Sequence, residues 1–566
     1  MVTRRDLLAA GVLTGAGALL EAFPAAAQSF DFSQLPSLPA MTAEVAHVNR
    51  AMGPARLTAS PEHQRFVKFL HTELIKALAP AGGRVFEDRF ENYPRWTARS
   101  WSLTVAGRPQ PVASYFPYCT GGFTGARVPI AAAPALAAPG GGGSYARAGT
   151  GTSQIIPPAT QASGELVDLG VFTKPGSVDW SRAAGRIALV GVSLEAAAAA
   201  APASAYTLVG AYDHGDRSTE GNRSGPHPTS TILGPPDISN AAKAGVLGVV
   251  LVWLGISDAN AQGQYNPFPV PFGSWPPSSQ TGSDPAATRG GVPALWVNAT
   301  VGAGLKTAAA ERAHAELELL AQIDQADTAT VWGILPGPRF GAVDDEVLIC
   351  NTHSDGPNIV EENGGLAVLH VARYFARLPR RERPRTMVFM ASTGHFGHRF
   401  LGSGRDWIVQ HPQIMRQAVA CMTLEHFGCR EFLDVNRDGR LSYEATGRPQ
   451  QGQIYVTDPY WKEVAPGPAD PALARIATAA VQETGDRAAL LAGGVFFGEG
   501  GGFHAAGVPT IGYIPVPQYL CAMAPDGEIS KFDPALFRAQ TVLAVKCFLA
   551  LQAAGAVELK GLVPGV

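Results

Sequence analysis

Cysteine is scarce, six in 566 residues, and none stands in a CxxC pair. Cys119, Cys350, Cys421, Cys429, Cys521 and Cys547 are too dispersed for a small disulfide scaffold, and stretches such as VLIC and AVACM read as buried thiols. An excess of either charge is missing too: 44 Lys and Arg stand against 47 Asp and Glu. The basic residues form no long block or stripe, which argues against a nucleic-acid partner. There is no GxSxG elbow and no phosphate-cradling loop, so serine-hydrolase and nucleotidase readings lose support. Past Leu20 no apolar run of about 20 residues occurs, so nothing is expected to hold the mature chain in a membrane.

What is present begins with an address. Arg4-Arg5 is followed by an apolar stretch from Leu7 to Leu20 and by Ala25-Ala26-Ala27. Together these predict a twin-arginine signal peptide over 1–27, cleavage after Ala27, and a periplasmic or secreted protein. The remaining length exceeds what one core usually organises, so two compact units are expected, one inserted in the other.

Ser60-Pro61-Glu62 starts a helix, with Phe66, Phe69, Leu70 and Leu74 at helical spacing. An extended segment, RWTARSWSLTVAG, follows, and then a Gly-, Ala- and Pro-rich boundary over 118–158. Over 159–322 short apolar runs alternate with turns, which fits strands with one or two helices. From about 329 the pattern becomes α/β. It predicts strands at 347–350, 387–390, 418–424 and 510–514, and helices at 366–378, 471–484 and 534–554. The polar motifs fall just past strand ends, where open α/β sheets place their ligands.

Those motifs are His353-Ser354-Asp355 after VLICNT, Glu361-Glu362-Asn363-Gly364-Gly365, STGHFGH, MTLEHFG and GEGGGFHAAGVP. In this order they resemble the co-catalytic zinc aminopeptidases of the bacterial leucyl type. NAAKAGVLGVVLVW resembles the protease-associated domain inserted in many exported peptidases. The resemblance implies an α/β fold, with a mixed, mostly parallel sheet flanked by helices and a β-rich insert. It divides the chain into 1–27, 28–158 and 323–566 as the two parts of a peptidase-like domain with its leader, and 159–322 as the insert.

Carried over by position, the resemblance makes His353 a metal ligand oriented by Asp355. Glu362 stands where the family has a bridging Asp, and Glu425 where it has another Asp ligand. Two departures follow. Gly394-His395 replaces the family's adjacent glutamates, removing its general base and leaving His395 as a switched ligand. The last histidine ligand falls on Gly500, with Glu499 and His504 as nearby substitutes. The implied cofactor is one divalent ion, zinc by family, held by His353, Glu362, His395, Glu425 and Glu499. Glu361, His398, His426 or Glu499 would then serve as replacement base. Glu361 alone also reads as a helix first-turn charge.

The expected activity is metal-dependent hydrolysis of a peptide or small amide-like substrate with altered specificity; oligomeric state is open. A binding protein without catalysis, or a cyclase or lyase on the same scaffold, are the alternatives. Asp434 to Gly439 begins like a calcium loop, but its twelfth position is Ala445, so a polar turn is favoured. In the insert, Tyr265, Phe268, Phe272 and Trp275 lie among prolines, as a rim over the site or as a self-packed loop.

Overall fold

A computed structural model describes residues 30–117, 161–173, 177–193, 207–212, 238–264, 292–395, 405–457, 471–492, 496 and 498–559. The signal segment, Cys119, His398 and the Tyr265–Trp275 aromatics lie outside these residues.

Two 22-residue strands, Arg84–Val105 and His314–Leu335, form a long antiparallel ribbon, pairing from Arg84↔Ile334 to Val105↔Ala315. Aromatic and β-branched residues give both strands their extended preference. Register shifts at Phe90/Tyr93 and Ala98/Ser100 add local twist, as bulges do. At one end Leu335 pairs with Met387 of the strand Thr386–Ser392. At the other, Glu318 pairs with Gln161 of the strand Gln161–Phe172. The ribbon therefore joins two sheets edge to edge.

The sheet beyond Leu335 runs Thr386–Ser392, Val347–His353, Ala418–Leu424 and Thr510–Tyr513, all mutually parallel. Gly452–Thr457 then pairs antiparallel to Thr510–Tyr513 and parallel to Ala488–Ala492. This is the expected mixed, mostly parallel sheet. Its central strands are buried throughout, which explains why each reads as an unbroken apolar run. The segment 161–310 builds a second parallel sheet from Gln161–Phe172, Ile187–Ser193, Gly248–Leu254 and Ala294–Val297. Helices Ile238–Lys243 and Ala299–Ala310 accompany it.

Helices pack on both faces of the first sheet, the long ones on one and the short Arg405–Gln410 and Gly501–Ala505 on the other. Pro61–Leu78 starts where expected because Ser60 Oγ accepts from His63 N at 3.0 Å and Pro61 occupies the first turn. It buries Phe66, Leu70 and Leu74 against helix Gly364–Arg377. Among the described residues, one helix, Pro534–Ala553, is long and apolar enough to cross a membrane. Here it is core: Phe548 is fully buried, with its ring edge-on to Phe375 at 5.3 Å. Phe548→Ala would cost roughly 3–5 kcal/mol through the cavity it leaves.

The segment Asp434 to Gly439, read from the sequence as a polar turn, lies at the tip of a hairpin. Arg430–Arg437 pairs with Arg440–Pro449, and Asp438 and Gly439 turn it with φ of 52° and 82°. Asn436 Oδ1 closes the turn on Gly439 N at 2.9 Å. Asp434 faces away from the turn and accepts from Ser257 N and Asn260 Nδ2 at 2.9 and 2.6 Å. It thereby docks the hairpin on the 161–310 segment. The five described cysteines are all buried and carry free thiols.

Candidate metal centre

Three strand ends and the approach to one short helix deliver the site. His353 is the last residue of Val347–His353; Glu425 and His426 follow Ala418–Leu424; His395 follows Thr386–Ser392; and Glu499 precedes the short helix Gly501–Ala505. Parallel strands bring these carboxyl ends to one edge, the place such sheets reserve for ligands. One atom each of His353, Glu361 and His426 lies within 4.8 Å of the others, all buried. Glu361 Oε1 stands 3.6 Å from His353 Nε2 and 3.5 Å from His426 Nε2.

Hydrogen bonds fix which nitrogen faces inward. His353 Nδ1 meets the main-chain carbonyl of Asp355 at 2.8 Å, and His426 Nδ1 meets that of Pro515 at 2.6 Å. A carbonyl only accepts, so both Nδ1 atoms carry the proton and both Nε2 lone pairs point at the cluster. This is the second-sphere arrangement that orients metal-bound imidazoles. His426 holds it with φ of 59°, a left-handed conformation that costs a non-glycine residue energy and is found at functional sites.

Glu361 is aimed by Asn358. The Asn358 Oδ1 accepts from Glu361 N at 3.0 Å, while its Nδ2 reaches the carbonyls of Tyr519, Leu520 and Ala522. A side chain at Gly356 would put its Cβ 2.2 Å from Glu361 Oε2, so a larger residue there would push the Glu361 carboxylate out of its place. Asn363 does not cap the helix it precedes. It exchanges hydrogen bonds with Phe427 N and O, tying the turn to the loop that carries His426.

The charges are deeply buried and shift each other. Burial, then Glu425, Glu362, Asp355 and Glu499, push Glu361 well above the ordinary carboxyl value. Burial and Glu499 raise Glu425 to about 8. Burial and the neighbouring His395 bring His353 down to about 4. Burial, then His353, holds His426 well below the usual imidazole value. Burial also opposes the charged form of His395, but the hydrogen bond and charge of Glu499 outweigh it and raise His395. Neutral imidazoles have free lone pairs to offer a cation, and a carboxyl beside them would release its proton on binding one.

The residues fit such an ion. Glu361 Oε2 and His426 Nε2 are buried yet make no hydrogen bond, and two imidazoles with one carboxylate form a donor set suited to zinc or iron. Glu425 Oε2 lies 4.0 Å from His353 Nε2 and 3.6 Å from His426 Nε2, near enough to complete the set. Its Oε1 accepts from Glu499 N at 2.7 Å.

The other expected residues take different places. Glu362, expected as the bridging ligand, is ion-paired to Arg56 with both side chains fully buried. Adjacent residues in this turn point apart, so it is Glu361 that enters the cluster. Asp355 orients His353 through its main-chain carbonyl, because its carboxylate is taken by the Thr58 hydroxyl. His395 stacks on His353 at 4.2 Å and places Nε2 3.6 Å from Glu361 Oε1. Its Nδ1 meets Glu499 Oε1 at 2.8 Å, and Ser392 Oγ donates to Glu499 Oε2 at 3.1 Å. His504 is buried on the next helix but is no member of the three-residue cluster. Gly500, where the resemblance puts a histidine, has no space for one: a Cβ there would meet the Phe496 ring at 2.3 Å.

Arg56, Thr58, His63 and Asn358 carried no signal in the sequence. His63 is buried with Nε2 2.9 Å from Ser354 Oγ, bracing the His353 turn from helix Pro61–Leu78.

No family model and no curated protein matches the chain. Solved structures do match. An aminopeptidase from Aneurinibacillus sp. aligns with a TM-score of 0.54 at 13% identity over 90% of this chain and 93% of that one. A zinc aminopeptidase from Bacillus subtilis gives 0.52 at 14% over 91% and 95%. A peptidase precursor from Shewanella amazonensis gives 0.53 at 14% over 96% and 97%. At such identities the likeness shows the fold, and the chain has the zinc aminopeptidase fold.

Proposed function

We propose that this chain is an exported metal-dependent hydrolase acting on a peptide, amide or related bond, with a specificity different from that of the aminopeptidases it resembles. The observation that carries the reading is the buried convergence of His353, Glu361 and His426 with both imidazole tautomers preset for coordination. His353, Glu361 and His426 would hold the ion, with Glu425 as fourth donor. A divalent ion there supplies Lewis acidity.

The chain's own proton chemistry rests on His395 and Glu499. His395 is the most solvent-accessible member of the set, 11% exposed where His353, Glu361, His426 and Glu425 are at 2% or less. Substrate and water therefore approach from its side. Glu499 holds the Nδ1 proton, which leaves Nε2 to take a proton from an attacking water and return it to the leaving nitrogen. This dyad fills the functional gap left at Gly394. Export rests on Arg4-Arg5 and the apolar stretch behind them. Residues 159–322 act as a noncatalytic protease-associated insert that narrows access, a reading supported by the parallel strands Ile187–Ser193, Gly248–Leu254 and Ala294–Val297 and the apolar cluster packed on them.

The test is elemental analysis of the folded, untagged protein beside a survey of amide substrates. Bound ion with chelator-sensitive turnover that adds one water supports the reading. A folded chain that binds no divalent ion and turns over nothing would instead favour a binding protein, which the glycines at 394 and 500 motivate.

A further inference from the structure

We infer that Arg56 stands in for a second metal ion: its guanidinium occupies the place beside Glu362 where a second cation would otherwise be held, so that the centre works with one divalent ion and one fixed organic cation. The inference rests on the hydrolase reading above and goes beyond it in assigning Arg56 as a positioning residue.

Five carboxylates, Asp355, Glu361, Glu362, Glu425 and Glu499, are each 1% exposed or less around this centre, and Arg56 is buried to the same degree beside them. Carboxyl groups buried this close together can ionise only as far as cations beside them compensate the charge. Glu361 turns toward His353 and His426, whereas Glu362 turns toward Arg56. Apart from that ion pair, neither Glu362 oxygen accepts a hydrogen bond, so without Arg56 it would be an uncommitted carboxylate.

The guanidinium is locked in place. Arg56 pairs with Gly356 through both main-chain groups, N to O at 2.8 Å and O to N at 3.1 Å. Its Nη1 donates to Gly53 O at 2.9 Å, and its Cζ lies 4.6 Å from the Phe66 ring centre. Two residues on, the Thr58 hydroxyl binds the Asp355 carboxylate. One short segment thus commits both carboxylates flanking the Glu361 turn. A guanidinium never gives up its charge and cannot be chelated away, unlike a metal ion.

The experiment counts ions. Purified full-length chain is titrated with zinc and with manganese, and ions per chain are read by mass spectrometry and calorimetry. Wild type should hold one ion. Arg56→Met should take up a second, and Arg56→Met/Glu362→Gln should return to one, bound within about tenfold of wild type, since Glu362 is not a ligand to the retained ion. Two ions in wild type, an Arg56→Met protein that stays at one, or loss of the remaining ion in the double variant would each overturn the inference. Should metal-free Arg56→Met fail to fold because Glu362 is left unpaired, refolding it in zinc decides: recovery with two ions supports the inference, and a chain that recovers with one, or not at all, overturns it. Two ions in wild type leave the hydrolase reading intact, whereas a folded wild type with none removes both.

Discussion

Glu499 Oε1 meets His395 Nδ1 at 2.8 Å, joining the loop after Thr386–Ser392 to the turn before Gly501–Ala505. Neither residue is among the three whose ligand atoms converge, yet His395 Nε2 lies 3.6 Å from Glu361. In the proposed reading this pair handles protons, with His395 the more exposed of the two and Glu499 fully buried behind it.

Glu499→Gln keeps the shape of the side chain but removes the charge that holds His395 in its tautomer. It should lower kcat by about 10²- to 10⁴-fold while the protein retains its ion. His395→Ala should do the same. Parallel assays of turnover and metal content test this. Loss of the ion together with the activity would make these residues ligands and sink the proton role.

His353→Ala and His426→Ala should abolish tight ion binding, since each removes one of two preset imidazole donors. An ion at a hundredfold its dissociation constant stabilises the native state by about 2.7 kcal/mol. Zinc should therefore raise the Tm of wild type and leave both variants unmoved. Equal shifts in all three proteins would place the ion elsewhere.

Much of this arrangement was legible in advance. The runs VLIC, TMVFM and AVACM announce buried parallel strands, and the site residues fall at their ends because the fold class puts them there. Helix Pro61–Leu78 was visible from Ser60, Pro61 and the spacing of Phe66, Leu70 and Leu74. The roles of Glu361 and Glu362 were not. They are neighbours in one turn, and which of them enters the cluster depends on Asn358 from below and Arg56 from a segment about 300 residues earlier. Aligning motifs by position transfers roles without such partners. The same limit hid the Asp355 carboxylate's commitment to Thr58, since a hydroxyl in the run RLTASPE has no pattern to mark it.

The pH dependence of stability follows from the buried carboxyls. In the metal-free protein Glu425 keeps its proton to about 8, whereas an unfolded glutamate loses it near ~4.3. Between these values the folded state binds more protons, so stability falls as pH rises. His353 at about 4 and His426 below the usual value act in the opposite sense, but only up to about 6.5, where the unfolded imidazole releases its proton. From about 6.5 to 8 the carboxyl effect is unopposed, and the raised His395 adds to it. The unfolding free energy of chelator-treated protein should drop across that window by up to about 1.4 kcal/mol per pH unit for each such group, and its Tm should fall with it. Zinc-loaded protein should show the reverse, because ligands must be deprotonated to bind. A metal-free protein that gains stability from pH 6.5 to 8 would contradict a cluster of protonated carboxyls.

Asn358 separates positioning from coordination. Its Oδ1 accepts from the main-chain N of both Val360 and Glu361, at 3.1 and 3.0 Å, and its Nδ2 reaches three carbonyls of the 519–522 segment. Its hydrogen bond to Glu361 is to the main chain and not to the carboxylate, so it sets the turn that aims Glu361 without being a donor to the ion. Asn358→Ala leaves buried main-chain donors and acceptors unpaired, which costs about 1–3 kcal/mol for each group left unsatisfied. It should also weaken ion binding by about 10- to 100-fold, the usual result of losing a residue that orients a ligand. Asn358→Asp keeps the acceptor toward Val360 and Glu361 but loses the amide donors and buries a charge, so it should lose stability at least as much. Glu361→Gln offers the contrasting case: it should lose the ion with little loss of stability, because Glu361 Oε2 makes no hydrogen bond to forfeit. Denaturant unfolding and ion titration of the three proteins separate the two effects. If Asn358→Ala binds zinc as tightly as wild type, the turn does not depend on it and Glu361 is aimed by the close fit at Gly356 alone.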